Sequence, residues 1–566
     1  MTSCVDTVIL PENKTLDEDF WQKKTEVESI VATAYAQLRD GATAVTTPSF
    51  QRNAIVWGGF RSDEMMLAND FKSTNAITEA LTELYSVQIQ PNNTFTTWYP
   101  LYSCINYCNL ALEKGQGVMN YDPDYTMGDW LANKAQVTAL RALCYFYLVR
   151  VFRDVPVTPH AYLNSSEDLN VAQSAPAEVL EMCIKDLESV VNDAPQGNAY
   201  GDSRDRGLFN KDGINALLAD IYLWRASVNH NQADYKTAVD YCDKVIKAKH
   251  DNHTFKRFDR DQEDVPYYLA AAVDMYDELF GSIGDNSQNA EESIFELQYR
   301  ANNKQNTALS QMYYGYSSAT SGYGYVKATT VYGDYSGSGT TANIFKNTVD
   351  QRQWDYCHNT NEGLDQHAIR KFTSESGNTG KTATKVSTGR TAFQQNWIIY
   401  RLTDVILMKA EALVQLAEFE ADEEEKTKTL NDAFDLVKVV NDRAINNDAS
   451  VALKFTTYQD RMEELVLMER ARELCFEGKR WFDLMRYNYR HVEGTDYTKK
   501  LSEMDGNFVK LSDQFYEIAL NKYTAQTAMK AKMPTEPYLY LPINENELEV
   551  NNLLKQNPVY KSTSKR

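Results

Sequence analysis

The chain has 566 residues, room for about three domains or one large helical assembly at roughly 100–200 residues per domain. Lys and Arg number 58 against 79 Asp and Glu, a net charge of -21; such a surface repels phosphate backbones and excludes a general nucleic-acid binder. Hydrophobic residues at 43% and aromatics at 12% fill a sizeable core and exclude wholesale disorder, and only 25 Gly and 14 Pro leave long stretches free to be helical.

The N-terminus reads Met1-Thr2-Ser3-Cys4. A Cys behind two small residues is where a bacterial lipoprotein signal is cut and the Cys acylated, which makes Cys4 the candidate anchor, with Met1 in place of the signal. Residues 1–20 then form a tether. Helical periodicity begins next, with Val27, Ile30, Val31, Ala34 and Leu38 across 21–39. Trp57-Gly-Gly-Phe-Arg-Ser-Asp-Glu64 reads as a short irregular segment. Helices are expected over 97–114 and 130–152, the second stopped by Arg153-Asp-Val-Pro156 because the residue before Pro disfavours helix. Further helices are expected over 176–194, with Pro176 in the first turn, then 210–228 and 234–249. The longest apolar run, Ala142 to Val149, is eight residues, against about 20 for a bilayer span. Cys104, Cys108, Cys144, Cys183, Cys242, Cys357 and Cys475 fall mostly among apolar neighbours and read as core filling, not as zinc ligands or a disulfide scaffold.

From about 281 to 395 the helical period fades. Glu292 to Tyr299 alternates like a strand, with Phe295, Leu297 and Tyr299 on one face. Residues 313–335 hold Tyr313, Tyr314, Tyr316, Tyr323, Tyr325, Tyr332 and Tyr335, seven of the 36 tyrosines, a density that suits an ordered, sticky loop. Helices return over 396–419 and 428–446. The acidic run Glu418 to Glu425 between them reads as a solvated turn, since its spacing is not that of a calcium loop. Ala216, Ala219, Tyr222 and Leu223, then Tyr235, Ala238, Tyr241 and Val245, place small residues where two helices approach closely, as in degenerate tetratricopeptide pairs.

Arg472-Glu-Leu-Cys-Phe-Glu-Gly-Lys-Arg-Trp-Phe-Asp-Leu-Met-Arg486 resembles the signature of the SusD/RagB family of surface nutrient-binding lipoproteins. Leu140 to Pro156 resembles the family's helix ending in a Gly-Asp-Val-Pro turn, with Arg153 in place of that Gly. Arg401 to Ala412, Asn441-Asp-Arg-Ala444, and Tyr540-Leu-Pro-Ile to Gln556-Asn-Pro-Val-Tyr560 resemble three more of its segments, with Asn544 and Val559 departing from the usual Pro and Gly. Gly478 is read as a break between two helices, Trp481 and Phe482 as core, and Arg472, Glu477, Arg480 and Asp483 as structural ion pairs.

The resemblance implies an all-α-dominated fold: about eight helices in four degenerate tetratricopeptide-like pairs, plus an irregular capping region with a few short strands. It implies one domain over 21–566, with helical pairs at about 21–250 and 396–486, a loop-rich ligand region at about 45–95 and 251–395, and an irregular C-terminal segment at 487–566. It strengthens lipidation at Cys4 and implies an outer-membrane, cell-surface location. The implied role is a non-catalytic lid on a TonB-dependent, SusC-like β-barrel transporter, capturing an oligosaccharide. No cofactor is expected from the residues; a structural calcium on the acidic surface is the one alternative, and no loop has its ligand spacing. A peptide-capturing relative, a helical glycoside hydrolase and a cytosolic repeat scaffold for proteins are the alternatives. A sugar site needs flat aromatic platforms and groups that bond hydroxyls. Trp57, Phe60, Arg61 and Asp63 are the first candidates, then Tyr313, Tyr314, Tyr316, Tyr323 and Tyr325, then Trp354; Trp98, Trp130, Trp224 and Trp397 read as core.

Overall fold

A computed structural model describes residues 20–40, 49–68, 75–164, 167–252, 266–270, 279–280, 292–299, 305–313, 324–333, 344–345, 349–358, 368–373 and 394–560. Its long helices are α1 (Lys24–Asp40), α2 (Tyr99–Lys114), α3 (Met127–Phe152), α4 (Pro176–Val190), α5 (Lys211–Asn229), α6 (Gln232–Asp251), α7 (Leu402–Leu416), α8 (Glu423–Ala444), α9 (Gln459–Leu474) and α10 (Arg480–Arg490). The first eight pack as the neighbours α1/α2, α3/α4, α5/α6 and α7/α8, the paired arrangement expected. α6 also packs on α7, which carries the stack from one half to the other.

Local chemistry sets the boundaries. Thr126 and Asp129 form a capping box that starts α3. Pro176 sits at the first turn of α4. His230 in the left-handed region and the Asn231 side-chain cap turn α5 into α6 within two residues. Asp422 caps α8 and accepts from the backbone of Glu424 and Glu425, so the acidic run lies at a helix N-terminus, where its charge is favoured. Asn544 likewise caps the short helix Glu545–Val550 and donates to Thr96 Oγ1 at 2.9 Å, which accounts for Asn where Pro is usual.

The strands are short two-stranded pairs. Ser293–Leu297 pairs antiparallel with Trp397–Arg401 and Met65–Leu67 with Val326–Ala328. This corrects the expected helix over 396–419. Its first residues, Trp397-Ile-Ile-Tyr-Arg401, are a continuous apolar and β-branched run that prefers a strand, and the helix starts only at Leu402. Both five-residue strands are buried along their whole length, because helices or loops cover both faces. α3 is long and apolar enough to cross a bilayer, but its most hydropathic window is 94% buried inside the fold; its apolar surface faces protein. All seven described cysteines are free and buried, and burial pushes the Cys183 thiol up.

Candidate functional site

The element from α9 through Gly478 to α10 is a buried charge hub. Glu473 accepts from Arg352 at 3.0 Å, from Arg401 at 2.6 Å and from Arg443. Glu477 accepts from Lys371 at 2.6 Å and Arg401 at 2.7 Å. One turn on, Asp483 joins Arg470 at 2.9 Å and Arg486 at 2.7 Å, and Arg486 and Arg490 each reach Glu411 at 2.7 Å. Burial alone would raise the Glu473 carboxyl; the three guanidinium groups hold it well below the usual carboxylate range instead. Between Arg150, Asp220, Asp404, Arg470 and Asp483 lies a cavity of about 10 Å³, room for one water. These residues are therefore consumed by structure, as the ion-pair reading expected.

The Trp57–Glu64 segment docks onto this hub, and that overturns most of its assignment to a ligand. Residues Ile55–Phe60 form a buried π-helical turn, not an irregular loop. A Cβ on Gly58 would lie 1.8 Å from the Gly478 carbonyl oxygen, and one on Gly478, at φ +71°, would lie 2.8 Å from the Ala54 carbonyl. The two glycines are what let the backbones touch. Trp57 is fully buried and its Nε1 donates to the Phe95 carbonyl at 2.8 Å; Phe60 is also fully buried. Asp63 accepts from Arg480 Nε at 2.9 Å and Nη2 at 3.1 Å. Glu64 Oε2 accepts from the Phe476 amide at 3.1 Å, while burial pushes its carboxyl up to about 8. Trp57, Phe60 and Asp63 offer a ligand no open face.

The tyrosine cluster fares similarly where it is described. Tyr313 is fully buried and its hydroxyl donates to the Phe476 carbonyl at 2.7 Å. Tyr325 is buried beside the strand Val326–Ala328, its hydroxyl accepting from Asn75 Nδ2 at 3.2 Å. Tyr314, Tyr316, Tyr323 and Cys4 lie outside the described residues. Trp354 is half-buried on a short helix, its carbonyl accepting from Arg370 Nη1 at 2.8 Å. Trp98, Trp130, Trp224 and Trp397 are core, as expected.

Arg61 is the member of the first candidate group that stays half-buried, and it organises an aromatic surface that sequence reasoning missed. Its guanidinium lies 4.5 Å from the Trp481 ring, and Nη2 donates to the Leu539 and Tyr538 carbonyls at 2.8 and 3.3 Å. Burial lowers it to about 10, and the hydroxyls of Tyr560, Tyr523 and Tyr540 act against that shift. Tyr85 and Tyr523 pack with ring centroids 4.8 Å apart, and Tyr538 and Tyr560 at 6.5 Å. All four are half-buried. Beneath them Lys522 is buried and donates to the Phe60 carbonyl at 2.6 Å; burial lowers its amine to about 7. Tyr85 comes from the N-terminal part and the other three from the C-terminal segment, a juxtaposition that no local pattern encodes.

Residues 273–560 match the SusD family model. The chain belongs to the SusD family. Residues 13–223 also match a family described as starch-binding, associating with the outer membrane. SusD-like protein P38 of Formosa agariphila is 25% identical over 506 residues, covering 86% of this chain and 89% of P38. SusD-like protein P2 of the same organism is 23% identical over 69% of this chain and 70% of P2. Among solved structures, a SusD superfamily protein from Parabacteroides distasonis superposes with a TM-score of 0.66 at 21% identity, over 95% of this chain and 99% of that one. NanU of B. fragilis superposes with a TM-score of 0.63 at 19% identity, over 98% and 100%. These structures share the fold along nearly the whole chain.

Proposed function

We propose that this protein captures an oligosaccharide at the cell surface and breaks no bond in it. The observation that carries the reading is the family match together with the relatives' near-full-length coverage, since the matching N-terminal family is named for starch binding at the outer membrane. The half-buried rings of Tyr85, Tyr523, Tyr538 and Tyr560 support it, since aromatic rings suit the apolar C–H faces of sugars. Retention at the outer membrane through acylated Cys4, and delivery to a TonB-dependent β-barrel transporter, belong to the same reading. Against a glycoside hydrolase, neighbouring arginines hold the carboxyls of Glu473, Glu477 and Glu411 below the usual range, and an acid catalyst needs a carboxyl that keeps its proton near neutral pH. Glu64 has that property but is buried and bonded to the Phe476 amide.

Calorimetry against a glycan panel tests the reading. A binding glycan is expected, with affinity falling about tenfold or more in Tyr523→Ala and in Tyr85→Ala. Unchanged affinity in both variants removes the tyrosine surface from the site. Stabilisation by oligopeptides and by no glycan would select peptide capture, and release of reducing sugar from the panel would make the protein an enzyme. Palmitate labelling of the full-length precursor, lost in Cys4→Ala, tests the anchor.

A further inference from the structure

Arg52 is unlike the other buried arginines of this molecule. It lies on the short helix Phe50–Ala54 and is 2% exposed. Among the described residues, no group accepts a hydrogen bond from its Nε, Nη1 or Nη2. The other buried guanidinium groups have partners: Arg153 meets Asp154 and Glu536, Arg480 meets Asp63, Arg443 meets Glu292 and Glu473, and Arg370 meets the Trp354 carbonyl. A chain with 79 acidic residues places none of the described ones against Arg52. Such a charge, buried without a counterion, strongly favours any anion that reaches it.

The surroundings hold the guanidinium in place. The Phe95 ring centroid lies 5.3 Å from the Arg52 guanidinium carbon. Phe95 is itself clamped: its amide donates to Asn93 Oδ1 at 3.0 Å, and its carbonyl accepts from Trp57 Nε1 at 2.8 Å. Tyr325 lies nearby, its hydroxyl held by Asn75 Nδ2 at 3.2 Å. The Arg52 backbone is fixed by its amide donating to Ser49 Oγ at 3.2 Å. On the same turn Gln51 and Asn53 are buried with both amide atoms of each side chain unpartnered, so this turn gathers polar groups that the rest of the fold does not satisfy. Burial lowers the guanidinium to about 10, still charged at neutral pH.

We infer that the Arg52 guanidinium, flanked by Phe95 and Tyr325, binds an anionic group of the captured molecule, a carboxylate or sulfate carried on an oligosaccharide. A planar fork of donors matches the paired oxygens of either group. The anion site stands on the geometry of Arg52; that its carrier is a glycan rests on the proposed function.

The test titrates millimolar sodium sulfate against sodium chloride at fixed ionic strength, in wild type and in Arg52→Met, reading the melting temperature. Wild type is expected to show a saturable rise with sulfate that Arg52→Met lacks, and Arg52→Met in chloride is expected to be at least as stable as wild type, since it removes an uncompensated charge. An equal sulfate response in both proteins, or none in either, overturns the inference. So does an Arg52→Met variant that melts well below wild type or fails to fold, because Arg52 would then be holding the structure. A second arm measures oligogalacturonate and its neutral methyl ester by calorimetry; the acid form is expected to bind at least tenfold more tightly in wild type, with the preference lost in Arg52→Met. A sulfate response without binding of any glycan keeps the anion site and sinks glycan capture. Neutral glycans bound equally by both proteins, with no sulfate response, keep capture and sink the anion site.

Discussion

At Arg153 a residue with a costly backbone is retained for its side chain. Its φ is +69° and ψ -78°, where the related turn carries Gly, and a non-glycine residue in so sparsely populated a region costs roughly 1–3 kcal/mol. The guanidinium offsets this. It pairs with Asp154 at 2.8 Å and Glu536 at 3.1 Å and donates to the Lys499 and Asp496 carbonyls. Removing one partner of a buried pair costs about 3–5 kcal/mol, more than the relieved strain. Arg153→Gly is therefore expected to lower the urea midpoint, and a variant as stable as wild type would show the clamp to be idle. Glu64 shows the opposite balance, since burial raises its carboxyl from 4.5 to about 8. Between those values the folded state keeps a proton that the unfolded chain has released, so this group makes stability fall as pH rises. Glu64→Gln keeps an oxygen for the Phe476 amide and removes the titration. Its stability relative to wild type is expected to grow from pH 4.5 to 8, by at most about 1.4 kcal/mol per unit, and a pH-independent difference in denaturation would refute the assignment.

The helices were legible because amphipathic spacing and caps act over a few residues. Pro176 marked its own element from the sequence, and the caps at Thr126 and Asn231 set theirs in the structure. The pairing of α5 with α6 followed from small residues at close approach, and the structural ion pairs of the Arg472–Arg486 segment followed from its charged residues together with its resemblance to the SusD/RagB signature. What local pattern does not carry is which side of a segment the rest of the chain will cover. Trp57-Gly-Gly-Phe-Arg reads as an exposed loop, because aromatic residues beside glycines look alike whether the glycines serve a turn or a close contact. Here they serve contact: the π-turn Ile55–Phe60 rests on Gly478, and burial follows for Trp57, Phe60 and Asp63. The tyrosines around Arg61 and the unpartnered Arg52 were missed for the same reason, since their meaning lies in residues hundreds of positions away or in partners they lack. The element-scale prediction tests the contact itself. Gly58→Ala puts a methyl 1.8 Å from the Gly478 carbonyl oxygen, backbone against backbone, and overpacking of this kind costs about 1–3 kcal/mol or more. Gly117→Ala, with nothing within 4 Å, is expected to be neutral or slightly stabilising. Equal denaturation midpoints for the two variants would mean that the docking is not tight.

Among the described residues the buried apolar side chains fall into two clusters, and α7 belongs to both. Leu402, Ile406, Leu407, Ala410 and Val414 face the cluster shared with α8 and α9, including Leu430, Val437 and Val466. Val405, Met408, Ala412 and Leu416 face the larger cluster that includes Leu140, Trp224 and Trp481. A helix buried on both sides cannot lose one core and keep its place in the other. The charge hub adds a second tie, because Glu473 on α9 meets Arg443 on α8 and Arg401 at the start of α7. One cooperative unit is therefore expected, with a single calorimetric transition whose measured enthalpy matches the van't Hoff enthalpy. Leu430→Ala in one cluster and Leu140→Ala in the other, each costing about 2–5 kcal/mol, are expected to lower that same transition by about 2–4 °C. The decisive readout is tryptophan fluorescence in Leu430→Ala, since Trp224 and Trp481 sit in the opposite cluster. If the fluorescence melt stays at the wild-type temperature while the helical signal melts earlier, the two cores unfold separately and α7 does not couple them.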